Sequence, residues 1–247
     1  MMRVLFVVPT LNEADSIVGL CNQIINLNEF WDILVVDDGS TDGTGELVSD
    51  LSRVYGGRVR ILQRGVRLGI GSAHMAGISA AIRENYHRTV TMDADGSHDP
   101  IFAKDILNAC EDNDLCIGSR YLKSNSLKGW TKWRKLLTYS VHSLTKATLG
   151  LKFDNSSGYR AYNVETLRGV RLSEIKSSNY DFFFESLLFF KLSGFKITEV
   201  PITLPTRTYG HSKLNLSLAV SALATLFKLT IRYRLLGKRK FSEMGTK

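Results

Sequence analysis

The chain has 247 residues, 44% hydrophobic and 23% charged, with a net charge of +8. This is ordinary globular composition, enough for one sizeable core, and it excludes a fibrous or disulfide-stapled chain. The charge is divided: residues 1–116 carry 17 acidic and 9 basic side chains, residues 117–247 carry 7 and 23, so a basic second half faces an anionic partner.

Arg3–Val8 reads as a buried strand meeting Pro9, too short for a signal-peptide core. Glu13–Leu27 is the first predicted helix, with Asn12 available as its N-cap. In the connecting Pro9-Thr10-Leu11-Asn12-Glu13, Glu13 is either a hydrogen-bond acceptor for a nucleobase or ribose or a first-turn acid favoured by the helix dipole. Ile33–Val36 is a second strand, ending at Asp37 and Asp38 in Asp-Asp-Gly-Ser-Thr-Asp-Gly-Thr. Two adjacent acids entering a Gly/Ser/Thr turn fit a nucleoside pocket, whereas a plain turn with a helix cap needs one. Helix Gly43–Tyr55, strand Val59–Gln63 and helix Gly71–Glu84 follow. Arg67-Leu68-Gly69-Ile70-Gly71 lacks the full dinucleotide glycine pattern; its small residues suit close approach to a diphosphate, with Arg67 as counter-charge.

The next strand, Val90–Met92, stops at Asp93 and Asp95. Residues i and i+2 of a strand share a side, so both carboxylates converge. Two hard oxygen ligands leaving a strand's carboxyl end suit Mg²⁺ or Mn²⁺ shared with substrate phosphates; the alternative is a turn with solvated acids. His98 is a metal neighbour or orders this turn. Helix Ile101–Cys110 and strand Leu115–Gly118 complete an alternating βα pattern, whose ligands bind beyond the strands' carboxyl ends. Cys21, Cys110 and Cys116 lack paired spacing, which points to a reducing compartment.

Between Ile117 and Lys152 stand eight basic residues and no acidic one. On a helical period Trp130, Trp133, Leu137, Val141 and Leu144 share one face, with Lys132, Lys135, Tyr139, His142 and Lys146 opposite. Such a helix lies in a membrane interface or packs on its own protein. Nucleic acid is disfavoured, because few stacking aromatics stand among these cations. Leu214–Ile231 is apolar on most sides, but its uninterrupted part, Leu216–Phe227, spans only about 18 Å as helix. It is interfacial, re-entrant or a docking helix for another subunit, and the basic run after it suits anionic headgroups.

Together, PTLNE, DDGSTDGT and the Asp-x-Asp segment resemble the family 2 glycosyltransferases. The second half, with Gly118-Ser119-Arg120-Tyr121, Gly129-Trp130 with Arg134, Asp154 with Ser156-Ser157-Gly158-Tyr159-Arg160, and Arg207-x-x-Gly210-x-Ser212-Lys213, looks like the dolichyl- or polyprenyl-phosphate mannosyltransferase branch. The resemblance implies a GT-A fold, an α/β architecture with a Rossmann-like, mostly parallel sheet flanked by helices and with amphipathic membrane-facing helices. Residues 1–213 would form the catalytic domain and 214–247 a membrane-associating or subunit-docking appendage.

The implied reaction moves one hexose, with inversion, from a nucleotide diphosphate to a polyprenyl or dolichyl phosphate at the cytoplasmic face of a membrane. GDP-mannose is the preferred donor and UDP-glucose the alternative; a non-catalytic subunit binding nucleotide-sugar or lipid is the alternative of another class. By the resemblance, Asp93 and Asp95 hold Mg²⁺ or Mn²⁺ on the donor, and Pro9, Glu13, Asp37 and Asp38 line the nucleoside site. Arg67 and Lys213 approach the diphosphate. Arg120, Arg134 and Arg207 hold the acceptor phosphate, with Thr138, Arg160 and Ser212 among the substrate-binding residues. A small membrane subunit is a possible partner. Many relatives have Gln at Ser97, which leaves no third direct metal ligand expected there.

Overall fold

The computed structural model describes residues 2–205 and 220–232. Arg207, Ser212, Lys213, the first residues of the expected C-terminal helix and the basic tail after Arg232 lie outside the described residues. Seven strands form one sheet in the order β3-β2-β1-β4-β6-β5-β7. They are β1 Val4–Thr10, β2 Trp31–Asp37, β3 Val59–Gln63, β4 Arg88–Thr91, β5 Leu115–Ser119, β6 Arg160–Asn163 and β7 Ile197–Pro201. All neighbours are parallel except β6, which runs antiparallel to both β4 and β5.

The central strands are covered on both faces, as parallel sheets require. In β1 every residue is buried. Val4, Phe6 and Val8 meet the apolar side of α1 (Ala14–Leu27), including Ile17, Leu20 and Ile24. Leu5 and Val7 point the other way, onto Ala73, Ala80 and Ala81 of α3 (Ile70–Arg83). Each large side chain so buried contributes about 1.5–3 kcal/mol. Gly77 sets the closeness of that contact, since a Cβ there would lie 2.1 Å from Val7 Cγ1.

Asn12 does not cap α1. It stands in the left-handed region, at φ 53°, and its Oδ1 accepts the amide of Thr41 at 2.8 Å. The helix start is served across the fold instead: Ala14 N donates to Asp42 Oδ2 at 3.0 Å and Glu13 N to Thr44 Oγ1 at 3.1 Å. The loop from β2 to α2 (Thr44–Val54) is thereby bound to the loop after β1.

The expected helix at 101–110 divides into a 3₁₀ turn, Pro100–Phe102, and α4, Ala103–Ala109. After β5 comes α5, Lys132–Leu149, capped by the Thr131 hydroxyl and ended by left-handed Gly150. After β6 come α6 (Val164–Arg168) and α7 (Phe182–Leu192), whose aromatic residues form a second core with Leu149, Leu115 and Ile117. Residues 220–232 form a helix, α8, that packs Ala222, Leu226 and Leu229 onto this core. Thr225 Oγ1 donates to Asp181 Oδ2 at 2.8 Å. Among the described residues no helix is long and apolar enough to cross a membrane.

Candidate active site

The register brings Thr10 beside Asp37 and Val7 beside Thr91, so three strands deliver their carboxyl ends to one edge. A cleft open to solvent lies there. It gathers Pro9 from the end of β1, Glu13 from the start of α1, Asp38 from just after β2, Arg67 from the loop before α3, and Asp93 with Asp95 after β4. Asn179 and Tyr180, which precede α7, close the side next to Gly69. Asp37, Arg120, Arg134, Thr138 and Arg160 are not among its lining residues.

The two adjacent acids where β2 ends do different work. Asp37 is buried and accepts both the amide (3.2 Å) and the hydroxyl of Ser40, so it shapes the turn. Asp38 Oδ2 accepts the amides of Leu68 at 3.1 Å and Gly69 at 2.9 Å, and its Oδ1 lies 3.1 Å from Arg64 Nε. Arg67 is exposed at the rim.

The small residues expected to admit a diphosphate admit protein instead. A Cβ on Gly69, at φ +98°, would stand 2.4 Å from Ser178 O, and one on Gly71 would stand 2.4 Å from Phe182 Cβ. Ser72 N donates to Ser178 O at 3.1 Å. This close contact carries Asn179 and Tyr180 to the cleft. The sequence reading missed both, because Asn-Tyr before an apolar run has no motif of its own.

β4 ends at Thr91, so Asp93 and Asp95 stand in the turn beyond it and strand alternation does not set their directions. The turn does. Asp95 is 4% exposed, and its Oδ1 accepts Ser97 N at 3.0 Å and Ser97 Oγ at 2.6 Å. Asp93 N donates to His98 Nδ1 at 2.9 Å. That nitrogen is therefore an acceptor with the proton on Nε2, and its 3.7 Å separation from Asp93 Oδ2 is not an ion pair. His98 orders the turn. Among the described residues no group of three or more His, Cys, Asp or Glu could hold a metal ion. Two carboxylates alone fit Mg²⁺ or Mn²⁺, which take one or two protein carboxylates and complete their shell with water and phosphate oxygens.

Arg120 is buried against Asp154, with Nε to Oδ2 and Nη2 to Oδ1 both 2.9 Å, and Nη2 also reaches Ser156 Oγ at 2.6 Å. Burial disfavours the ionised Asp154, but the guanidinium outweighs it and holds the carboxyl below its usual range. Arg120 is correspondingly raised, against the pull of burial, chiefly by Asp154 and in part by Asp93. Arg160 corrects the sequence reading. It is fully buried, its Nε donating to Ser157 O at 2.8 Å, Nη1 to Ser186 Oγ at 3.0 Å and Nη2 to Phe183 O at 2.8 Å. It holds α7 to β6 and does not line the cleft.

On α5 apolar side chains point outward. Trp133 is 73% exposed, and Leu136, Val141 and Leu144 are exposed with it. Thr145 and Leu149 are buried and His142 is half-buried, its ring stacked on Tyr121 at 4.1 Å between centroids. Thr138 is half-buried. Arg134 is exposed, its guanidinium 3.7 Å from the centre of a Trp130 ring.

Comparison with known proteins gives the family and the fold. Residues 5–170 match the model of Glycosyl transferase family 2. The chain is 36% identical to a polyprenol monophosphomannose synthase of Mycolicibacterium smegmatis, over 94% of this chain and 89% of that protein. It is 34% identical to an undecaprenyl-phosphate mannosyltransferase of Micrococcus luteus, over 96% and 98%. It is 32% identical to a dolichol-phosphate mannosyltransferase of Pyrococcus furiosus, over 92% of this chain and 64% of that protein. Glucosyl-3-phosphoglycerate synthase from Mycobacterium tuberculosis, solved with Mn²⁺ and UDP-glucose, superposes with a TM-score of 0.65 at 22% identity, over 93% of this chain and 80% of that one, and shows the same GT-A fold. The chain belongs to glycosyltransferase family 2.

Proposed function

We propose that the protein transfers mannose from GDP-mannose to the phosphate of a polyprenyl phosphate at the cytoplasmic face of a membrane. The observation that carries this reading is the meeting of Asp93 and Asp95 with Glu13, Asp38 and Arg67 in one cleft, in a chain whose named relatives act on polyprenyl-type phosphates.

A phosphate monoester is already ionised at neutral pH, so the acceptor needs no dedicated general base. The demand falls on the departing nucleoside diphosphate, whose charge must be met as it develops. Asp93 and Asp95 would hold Mg²⁺ or Mn²⁺ there, which supplies that charge neutralisation. Arg67 at the rim adds a cation, as does Lys213 in this reading. Glu13 and Asp38 face the nucleoside beside Pro9, while Asp37 acts through the Ser40 turn. Arg120, Arg134 and Arg207 take the acceptor phosphate, with Thr138 and Ser212 as hydroxyl partners. The charge of Asp93 acts on Arg120, which supports reading the two as parts of one site. The exposed apolar face of α5 would lie in the lipid interface, with the basic second half toward anionic headgroups.

The test is transfer of labelled hexose into organic-extractable lipid, with a polyprenyl phosphate, Mg²⁺ or Mn²⁺, and GDP-mannose or UDP-glucose in parallel. Label from GDP-mannose alone, lost with EDTA and with Asp95→Ala, is expected. Label from UDP-glucose alone replaces the donor; substantial turnover in Asp95→Ala removes its metal role.

A further inference from the structure

The turn after α5 alternates its attachments. Asp154 binds the Arg120 guanidinium through both carboxylate oxygens, and Ser156 Oγ accepts from the same Nη2. Asn155, between them and 1% exposed, faces the other way. Its Nδ2 donates to Thr145 Oγ1 and lies 3.2 Å from His142 Nδ1, both on α5. The amide orientation follows from Thr145, whose single hydroxyl proton is directed to the carbonyls of Val141 (3.0 Å) and His142 (2.9 Å) and whose oxygen must therefore accept. The His142 ring in turn stacks on Tyr121, the residue after Arg120. Arg120 is thus approached from α5 along two routes, one through Asn155 to its ion-pair partner and one through the Tyr121 ring.

We propose that Asn155 is a positioning residue which, through Thr145 and His142, couples the seating of α5 to the guanidinium of Arg120. On the reading that Arg120 meets the acceptor phosphate, the helix that presents Trp133 outward then sets the geometry of acceptor binding. Asn155 does not line the cleft. Its effect passes through two consecutive backbone units of one short turn, so a shift of α5 displaces Asp154 and Ser156 together.

The experiment compares the full chain with Thr145→Val, which removes the acceptor, and Thr145→Ser, which keeps it. His142→Phe, which keeps the ring stack and removes Nδ1, carries the same test should the valine variant not fold. Amide hydrogen exchange without substrate comes first. Thr145→Val is expected to speed exchange about tenfold in 119–127 and 153–158 while β1–β4 keep their protection, and Thr145→Ser to match the parent. Kinetics with a short-chain polyprenyl phosphate in detergent come second: an acceptor KM about tenfold higher, with donor KM and kcat within about twofold. Unchanged exchange in 119–127, or a rise spread over the whole chain, overturns the coupling. A local rise with an unmoved acceptor KM overturns its link to acceptor binding. A local rise in a chain whose parent transfers no hexose to lipid upholds the coupling and removes the proposed function instead.

Discussion

The carboxylate of Asp38 accepts the backbone hydrogen of Gly69 at 2.9 Å, joining the end of β2 to the start of α3 across the floor of the cleft. The same oxygen accepts Leu68 N, and the other meets Arg64, so the acid that lines the cleft also fastens its wall. This side chain thereby fastens both ends of the loop that carries Arg67.

Asp38→Asn keeps the shape and loses the charge. Its amide oxygen can still accept the two backbone hydrogens, which turns the NH₂ group toward Arg64, donor against donor. Both partners of the ion pair are buried, with side chains 7% and 6% exposed. Stranding the Arg64 guanidinium is expected to cost about 3 kcal/mol. Denaturant unfolding should show this loss, together with weaker nucleotide-sugar binding by calorimetry; parent-like stability would show that Asp38 does not fasten the loop.

Gly71→Ala tests the second fastening. The added methyl would sit 2.4 Å from Phe182 Cβ and 2.9 Å from Asn179 O, atoms of a helix start and a backbone that cannot turn aside. Overpacking of this kind costs about 1–3 kcal/mol and moves what it touches. The displaced segment carries Asn179 and Tyr180, so donor KM should rise along with a lowered melting temperature. A lower melting temperature with an unchanged donor KM would detach these two residues from the donor site.

The first half of this molecule was legible because its signals are local. Apolar strands β1 and β2 end at acids, helices carry a 3.6-residue period, and each boundary falls within a few residues of its expected place. β6 was not legible: four residues opening on a buried arginine carry no local strand signal, and only the pairing of β4 and β5 with them from both sides makes them a strand. α7, nearly all apolar, has no amphipathic period to read. Within the site, Asp38, Asp93 and Asp95 stood out by residue type and place. The division of labour between Asp37 and Asp38, the sequestration of Arg160 and the glycines turned toward Ser178 and Phe182 depend on distant neighbours. So does the caging of Arg120 by Asp154.

The outward face of α5 gives a prediction about surface, not stability. Trp133 and Leu136 are exposed, so Trp133→Ser with Leu136→Ser should leave thermal unfolding within about 0.5 kcal/mol of the parent. The same pair should lower sedimentation with vesicles containing anionic lipid, since interfacial binding scales with buried apolar area. Unchanged sedimentation would remove this face from the membrane contact. α8 offers a comparison, because Val220, Leu223, Phe227 and Ile231 are exposed on it while Leu226 and Leu229 are buried in the core. Phe227→Ser should therefore behave as a surface change and Leu226→Ala as a core change, the latter costing about 2–5 kcal/mol.

His74 supplies the pH dependence. Its ring is buried in α3, 5.6 Å from Phe182 and 5.2 Å from Phe183 between centroids, and neither ring nitrogen has a hydrogen-bond partner among the described residues. Burial pushes its pKa down to about 3, with the charge of Arg160 adding to the effect. The folded protein therefore keeps His74 neutral where the unfolded chain, titrating at about 6.5, takes up a proton. Proton uptake by the unfolded state favours unfolding, so this contribution is fully present above pH 6.5 and drains away as pH falls toward 3. Between pH 7.5 and 5.5 the loss from this one group is about 1 kcal/mol. His74→Leu fills similar space between the same rings and cannot titrate. Its unfolding free energy, measured in urea at both pH values, should fall by about 1 kcal/mol less than the parent's over that interval. Equal pH dependence in the two proteins would mean that water or a rearranged ring reaches His74 and allows it to charge in the folded state.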